Sequence, residues 1–316
     1  MVRVGGDLRS WPTMRLVSYA AGGDGLRAGV LVEDRVVDAA ACTAQARLDG
    51  ATDWSSARAI VARDSESVWR ALADAGRALA GGGRPRAELT LGPPIPDPEK
   101  ILCIGLNYRD HVDEAATIDE AAAKIADPVV FSKFPTALIG DRGDVLLPAP
   151  APDNVDWEGE LAVVISRRCR HVAAADALGH VAGYTILNDV SARDLQLASP
   201  QWTMGKAFDT SGPCGPALVT RDEVPDPQAL ALETRVNGAV MQSTTTALMI
   251  NPVARLIEYI SSLITLSPGD IIATGTPAGV GFARKPPIFL RDGDVVEVTI
   301  TGLGTLSNPV RATPRD

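Results

Sequence analysis

The chain has 316 residues, of which 46% are apolar, enough to bury a sizeable core in one large domain or two modest ones. Its formal net charge of −9 argues against a nucleic-acid or anionic-membrane partner. No stretch approaches the roughly 18 consecutive apolar residues of a membrane span, and "MVRVGGDLRSWPTMRLVSYA" carries no long apolar run, so neither a transmembrane helix nor a secretory signal is expected and a cytoplasmic location is.

Residues 14–40 read as short strands, "MRLVSYA" and "LRAGVLVEDRVVDAA", with hairpin chemistry in the "AGGDG" between them. Residues 54–83 are alanine-rich with apolar residues at helical spacing and end in three glycines. "LGPPIPDPEK" then places four prolines in ten residues, which marks a linker and divides the chain into residues 1–92 and 93–316. Beyond it the apolar runs "ILCIGL", "LAVVI", "GYTILNDV", "CGPALVT", "ETRVNGAVMQ", "DIIATGT" and "DVVEVTITGLGTL" favour strands. Many short strands with one or two helices predict an α+β, mostly β domain with a mixed or rolled sheet.

The four cysteines, Cys42, Cys103, Cys169 and Cys214, are scattered without a CxxC pair, which points to a reducing compartment and away from disulfides or zinc. With three histidines in all, a metal site must rest mainly on carboxylates. The first polar cluster is "ILCIGLNYRDHVDEA", where a strand runs into a loop carrying Asn107, Tyr108, His111 and Glu114. His111 and Glu114 stand at i, i+3, so on a helical turn the carboxylate can orient the ring and raise its basicity. A casual ion pair at a helix start is the bland alternative. Residues 113–128 follow as a polar, alanine-rich helix with little to bury, and are therefore expected to be mobile.

"DWEGELAVVI" carries Glu158 and Glu160 at i, i+2, so on a strand both point to one side, opposite Trp157, Gly159 and Leu161. Paired carboxylates repel unless one is protonated or a cation lies between them, and hard divalent cations take such oxygens readily. A solvated strand end is the alternative. "GYTILNDVSARDLQ" supplies a third carboxylate, Asp189, at the end of another strand, with Ser191 as the expected N-cap of the helix that follows. Arg193 and Gln196 share one face of that helix, suited to a substrate carboxylate and carbonyl, or to surface ion pairing. Lys206 in "MGKAFDTSGPCGP" suits a substrate carboxylate or enolate, or is an ordinary surface lysine. "ATGTPAGVG" is glycine-rich without P-loop spacing, and its N–H groups are able to receive an anion.

In this order "GLNYRDHVDE", "DWEGELAVVI", "NDVSARDLQ", "GKAFDT", "SPGDIIATGTPAGVG" and "GDVVEVTITGLGTLSNP" resemble the fumarylacetoacetate hydrolase family, over residues 98–313. The first 92 residues look like the small N-terminal α/β domain of bacterial members. The resemblance implies a mixed β-roll, a homodimer, and a divalent ion, Mg²⁺ or Mn²⁺, on Glu158, Glu160 and Asp189. It implies that Lys206 is the active-site lysine, that Arg193, Gln196, Thr276 and Tyr108 contact substrate, and that the His111–Glu114 dyad sits on a lid continuing over residues 112–127. The family's substrates are small 2-oxo and β-diketo acids such as acylpyruvates. The implied reaction is hydrolysis of a C–C bond, with the dyad activating water and the enolate stabilised by metal and Lys206. Decarboxylation of an oxaloacetate-type acid and isomerisation of a hydroxymuconate-type dienol need the same enolate and remain open. A non-catalytic binder is disfavoured because every motif position is filled.

Overall fold

The computed structural model describes residues 14–22, 25–116 and 127–314; residues 117–126 of the expected polar helix and lid lie outside them. Two mixed sheets carry the molecule, as the strand-rich sequence predicts. The larger runs, in spatial order, through Arg84–Pro85, Arg35–Asp38, Leu26–Val32, Arg15–Ala20, Gly212–Thr220, Val181–Asn188, Gly159–Ile165, Ile271–Ala273, Ile101–Gly105 and Val129–Lys133. The smaller orders Ala239–Thr245, Ala231–Val236, Val295–Ile300, Gly304–Ala312 and Val145–Leu147. Most pairs are antiparallel, but Ile271–Ala273 runs parallel to Ile101–Gly105, and Gly304–Ala312 parallel to Val145–Leu147.

The proline-rich stretch at 91–100 does not interrupt the large sheet. Arg15 pairs with Val219 and Leu16 with Leu218. The amphipathic helix Glu66–Leu79 packs Trp69 and Leu72 into a core cluster that continues to Ala162 and Leu187. The segments on either side of residue 92 therefore share one sheet and one core.

Two features of this scaffold set up the site. Leu161, Val163, Val164 and Ile165 are fully buried, each contributing about 1.5–3 kcal/mol. That anchor offsets part of the several kcal/mol that each desolvated carboxylate at the same strand's mouth costs. Gly159, between the two glutamates, is pressed on the smaller sheet: a Cβ there would meet Thr234 and Val298, at 3.0 Å from the latter's Cγ1. Only glycine lets the two sheets close behind the carboxylates.

Candidate active site

Glu158, Glu160 and Asp189 converge because two antiparallel strands end together. The register pairs Gly159 with Asn188 and Glu160 with Leu187. Beyond it the ladder is finished by hand: the Asp189 N–H donates to the Glu158 carbonyl at 2.8 Å, and the Glu158 N–H donates to Oδ1 of Asn188 at 2.9 Å. One carboxylate oxygen from each of the three lies within 4.8 Å of the others, and all three side chains are buried. Ser191 is not the N-cap. It pairs with Asp156 in a two-residue ladder, its hydroxyl donates to the Asp189 carbonyl at 2.8 Å, and the helix Arg193–Leu197 starts after Ala192 with no side-chain cap. The serine thus braces the turn that presents Asp189.

Cations surround one side of the cluster. Lys206 Nζ donates to Glu158 at 2.8 Å and to Asp189 at 3.0 Å. Arg193 Nη1 lies 2.7 Å from the other Glu158 oxygen and donates to Gln196 Oε1 at 2.8 Å. Burial by itself would raise the Glu158 carboxyl, but Lys206, then Arg193 and His111, outweigh it and bring it down to about 2. Burial would likewise lower Lys206 and Arg193. The carboxylates opposite them, Asp189 and Glu158 for the lysine and Asp156 and Glu158 for the arginine, raise both instead.

Sequence reasoning missed Lys133, which stands behind Asp189. Its ammonium lies 2.8 Å from Asp189 Oδ1 and donates to the carbonyls of Ser211 at 2.8 Å, of Val190 at 3.3 Å and of Lys206. A lysine in a strand segment as apolar as "VVFSKF" is the available signal, because a buried ammonium needs a carboxylate partner.

The opposite side is served by backbone. The Gly275 N–H donates to Glu160 at 2.8 Å, and Gly275 adopts φ +98° with a virtual Cβ 2.7 Å from Asn107, a position open to glycine alone. The Gly279 N–H donates to Glu114 at 3.1 Å and 3.3 Å. The anion that "ATGTPAGVG" receives is thus the protein's own carboxylates. Burial, then Asp189 and Glu158, push the Glu160 carboxyl well above the usual carboxylate range.

On the short helix Arg109–Ala116, His111 Nδ1 stands 3.2 Å from Glu114 Oε2, leaving Nε2 for a reacting group. His111 alone of the three histidines lines a cavity of about 140 Å³, together with Glu158, Arg193, Gln196, Lys206 and Thr276. Phe131 and Trp202 form an edge-on aromatic wall, with ring centroids 5.5 Å apart. Gln242 holds Thr276: its Oε1 takes the Gly159 N–H at 3.0 Å, so its Nε2 must face the Thr276 hydroxyl, 2.7 Å away. That hydroxyl donates to the Gly159 carbonyl at 3.1 Å. Tyr108 is fully buried and its hydroxyl has no hydrogen-bond partner among the described residues; burial, then the nearby Glu160 charge, raises its phenol.

The donor set fits a divalent cation. Three buried oxygen ligands lie around one point, and Glu160, the one without a side-chain cation, is forced toward its protonated form by its neighbours. A hard cation relieves that repulsion, and all-oxygen ligation with room for further ligands suits Mg²⁺ or Mn²⁺.

A family model described as "Fumarylacetoacetate (FAA) hydrolase C-terminal" matches residues 100–311. The oxaloacetate tautomerase FAHD2A, mitochondrial, of Bos taurus is 48% identical over 228 residues, 72% of this chain and 71% of that protein. The fumarylacetoacetate hydrolase of Exiguobacterium antarcticum superposes with a TM-score of 0.78 at 36% identity, covering 95% of this chain and 100% of that one. The maleylpyruvate hydrolase of Sphingobium sp. SYK-6, solved with manganese(II) and pyruvate, superposes with a TM-score of 0.73 at 32% identity, over 95% of this chain and 100% of that one.

Proposed function

This chain belongs to the fumarylacetoacetate hydrolase family, and on that premise we propose that it interconverts the keto and enol forms of a small 2-oxo dicarboxylic acid of the oxaloacetate type. The observation that carries this reading is a single histidine base opening, with Lys206 and Arg193, on a cavity of only about 140 Å³. A histidine and two cations on so small a cavity suit a short, doubly charged acid better than a long acyl chain.

The residues suffice for a proton transfer. The 2-oxo acid lies with its distal carboxylate toward Arg193 and Gln196. His111 Nε2 removes a proton from C3, and Glu114 on Nδ1 stabilises the imidazolium that forms. The electron pair moves into the C2–C3 bond, and the developing charge on the 2-oxo oxygen is met by the Lys206 ammonium. The same proton is returned to that oxygen to give the enol. A divalent ion on Glu158, Glu160 and Asp189, Mg²⁺ or Mn²⁺, would add positive charge beside the 2-oxo acid's oxygens. The 48% identity to a protein named oxaloacetate tautomerase supports the substrate class.

C–C bond hydrolysis of a β-diketo acid is the second reading, favoured by the likeness to a maleylpyruvate hydrolase. The same dyad would then deprotonate a water, and Lys206 would meet the leaving enolate. Incubating the Mn²⁺-loaded protein with enol oxaloacetate, or with an acylpyruvate, separates the readings by NMR. We expect ketonisation well above the buffer rate, with His111→Ala lowering it about 10²- to 10⁴-fold. Acylpyruvate cleavage without any effect on oxaloacetate exchange assigns hydrolysis instead. Pyruvate release from oxaloacetate assigns decarboxylation.

A further inference from the structure

Asp156 carries no role in the reaction above, yet its fully buried carboxylate is among the most heavily bonded in the molecule. Oδ1 accepts the N–H groups of Trp157 at 2.9 Å and Gly281 at 2.7 Å. Oδ2 accepts the Phe282 N–H at 3.0 Å and both Nε and Nη2 of Arg193, at 2.9 Å and 2.8 Å. The Phe282 ring in turn lies under the Arg193 guanidinium, 4.3 Å from its centroid. Asp156, Arg193 and Phe282 thus close a circuit in which each side chain fixes the next. Gly281 fits only as glycine, since a Cβ would come within 2.8 Å of Asp156 Oδ1. Two residues before it, the Gly279 N–H holds Glu114.

We propose that Asp156 is a positioning residue that locks the arginine arm of the site and the loop behind the dyad into one unit, and so sets a preference for dicarboxylic over monocarboxylic 2-oxo acids. The inference rests on the reading of Arg193 as the partner of the distal carboxylate. With Nε and Nη2 spent on Asp156, Arg193 is held by its rear edge, and Nη1 is aimed at the side of Glu158 and Gln196. Nη1 already meets Glu158 and Gln196, so without the Asp156 charge the guanidinium keeps only that one anchored nitrogen, pivots about it and no longer presents a fixed edge to substrate.

Asp156→Asn keeps an oxygen for the loop N–H groups but drops the charge that holds Arg193. In the Mn²⁺-loaded full chain we expect KM for oxaloacetate to rise about tenfold while kcat falls less than about threefold. Asp156→Ala, which also releases the loop and with it Glu114, should lower kcat about tenfold as well. Phe282→Leu removes the stack and leaves the carboxylate, and should raise KM about threefold. Calorimetric binding of oxaloacetate and pyruvate needs no turnover: the wild type's preference for the diacid should shrink by about the same factor as KM rises. If the wild type binds the diacid preferentially without tautomerising it, and Asp156→Asn loses the preference, the inference stands and the tautomerase reading falls. A wild type without that preference, a variant that keeps it, or a kcat loss at unchanged KM overturns the inference.

Discussion

The two walls of the site stabilise negative charge by different means. On one wall Glu158 and Asp189 face the side-chain cations Lys206, Arg193 and Lys133. On the other, Glu160 and Glu114 are held by backbone N–H groups of the loop 274–282. A backbone donor satisfies a lone pair but brings only a partial charge, whereas an ammonium or guanidinium brings a whole one. Hence Glu158, two residues from Glu160 on the same strand, is brought down to about 2 while Glu160 is pushed up. Glu160 is thus the member of the carboxylate cluster whose charge is least compensated by the protein itself.

The sharpest way to break this contrast is Glu160→Gln. The amide keeps an acceptor for the Gly275 N–H but removes the uncompensated charge. Mn²⁺ affinity should fall at least about 10²-fold and turnover at least about 10³-fold. In chelator the variant should nevertheless be no less stable than the wild type, because the lost carboxylate is the repelled one. Calorimetric titration with Mn²⁺, and urea unfolding in chelator, measure the two halves. Full activity in the variant sinks the metal assignment.

Lys133→Met tests the cation wall, with the opposite signature. It strips Asp189 of one cation, leaves the Val190 carbonyl without its donor and leaves the Ser211 carbonyl with the Val190 N–H alone, so urea unfolding should show a loss of about 3 kcal/mol. A loss below about 0.5 kcal/mol would mean that Lys206 alone balances this wall.

A carboxyl outside both walls calibrates the comparison. Glu223, in the turn Arg221–Glu223, has a buried Oε1 with no hydrogen-bond partner among the described residues. Burial pushes its carboxyl up to about 7, and Arg15 offsets only part of that. The folded chain then holds a proton that the unfolded chain, with an ordinary value of 4.5, has released. Stability falls as pH rises between those two values. Glu223→Gln should escape this loss, gaining on the wild type by about 1 kcal/mol between pH ~5 and ~8. A stability difference that stays flat across that range removes the assignment.

Much of the site was legible in the sequence because the polar side chains gathered there announce themselves by spacing. The i, i+2 glutamates lie on one side of the strand mouth because "LAVVI" forms the strand. The i, i+3 pair His111 and Glu114 meets on the short helix as periodicity predicts. The strand-rich, mixed-sheet fold was equally legible in the apolar runs. What was not legible has physical reasons. Lys133 and Asp156 look like ordinary charges until the fold buries them against partners tens of residues away. Ser191 matches an N-cap pattern, but a strand pair with Asp156 claims it first. Tyr108 sits in a polar stretch, yet it is fully buried, with its backbone bridged to Met249. The service that Gly275, Gly279 and Gly281 give through their N–H groups leaves no mark in residue type beyond glycine itself.

That last feature bears on how such a scaffold changes over generations. The loop 274–282 holds Glu160, Glu114 and Asp156 through main-chain amides, so a side-chain change on it leaves those bonds to the carboxylates in place, even where, as at Phe282, it alters a contact with Arg193. Thr276 and Phe282 project from this loop at the cavity. Selection is thus able to rewrite which acid fits, and which bond is broken, on a framework of fixed electrostatics. A tautomerase and a hydrolase among the relatives of one chain is the kind of divergence such an arrangement permits.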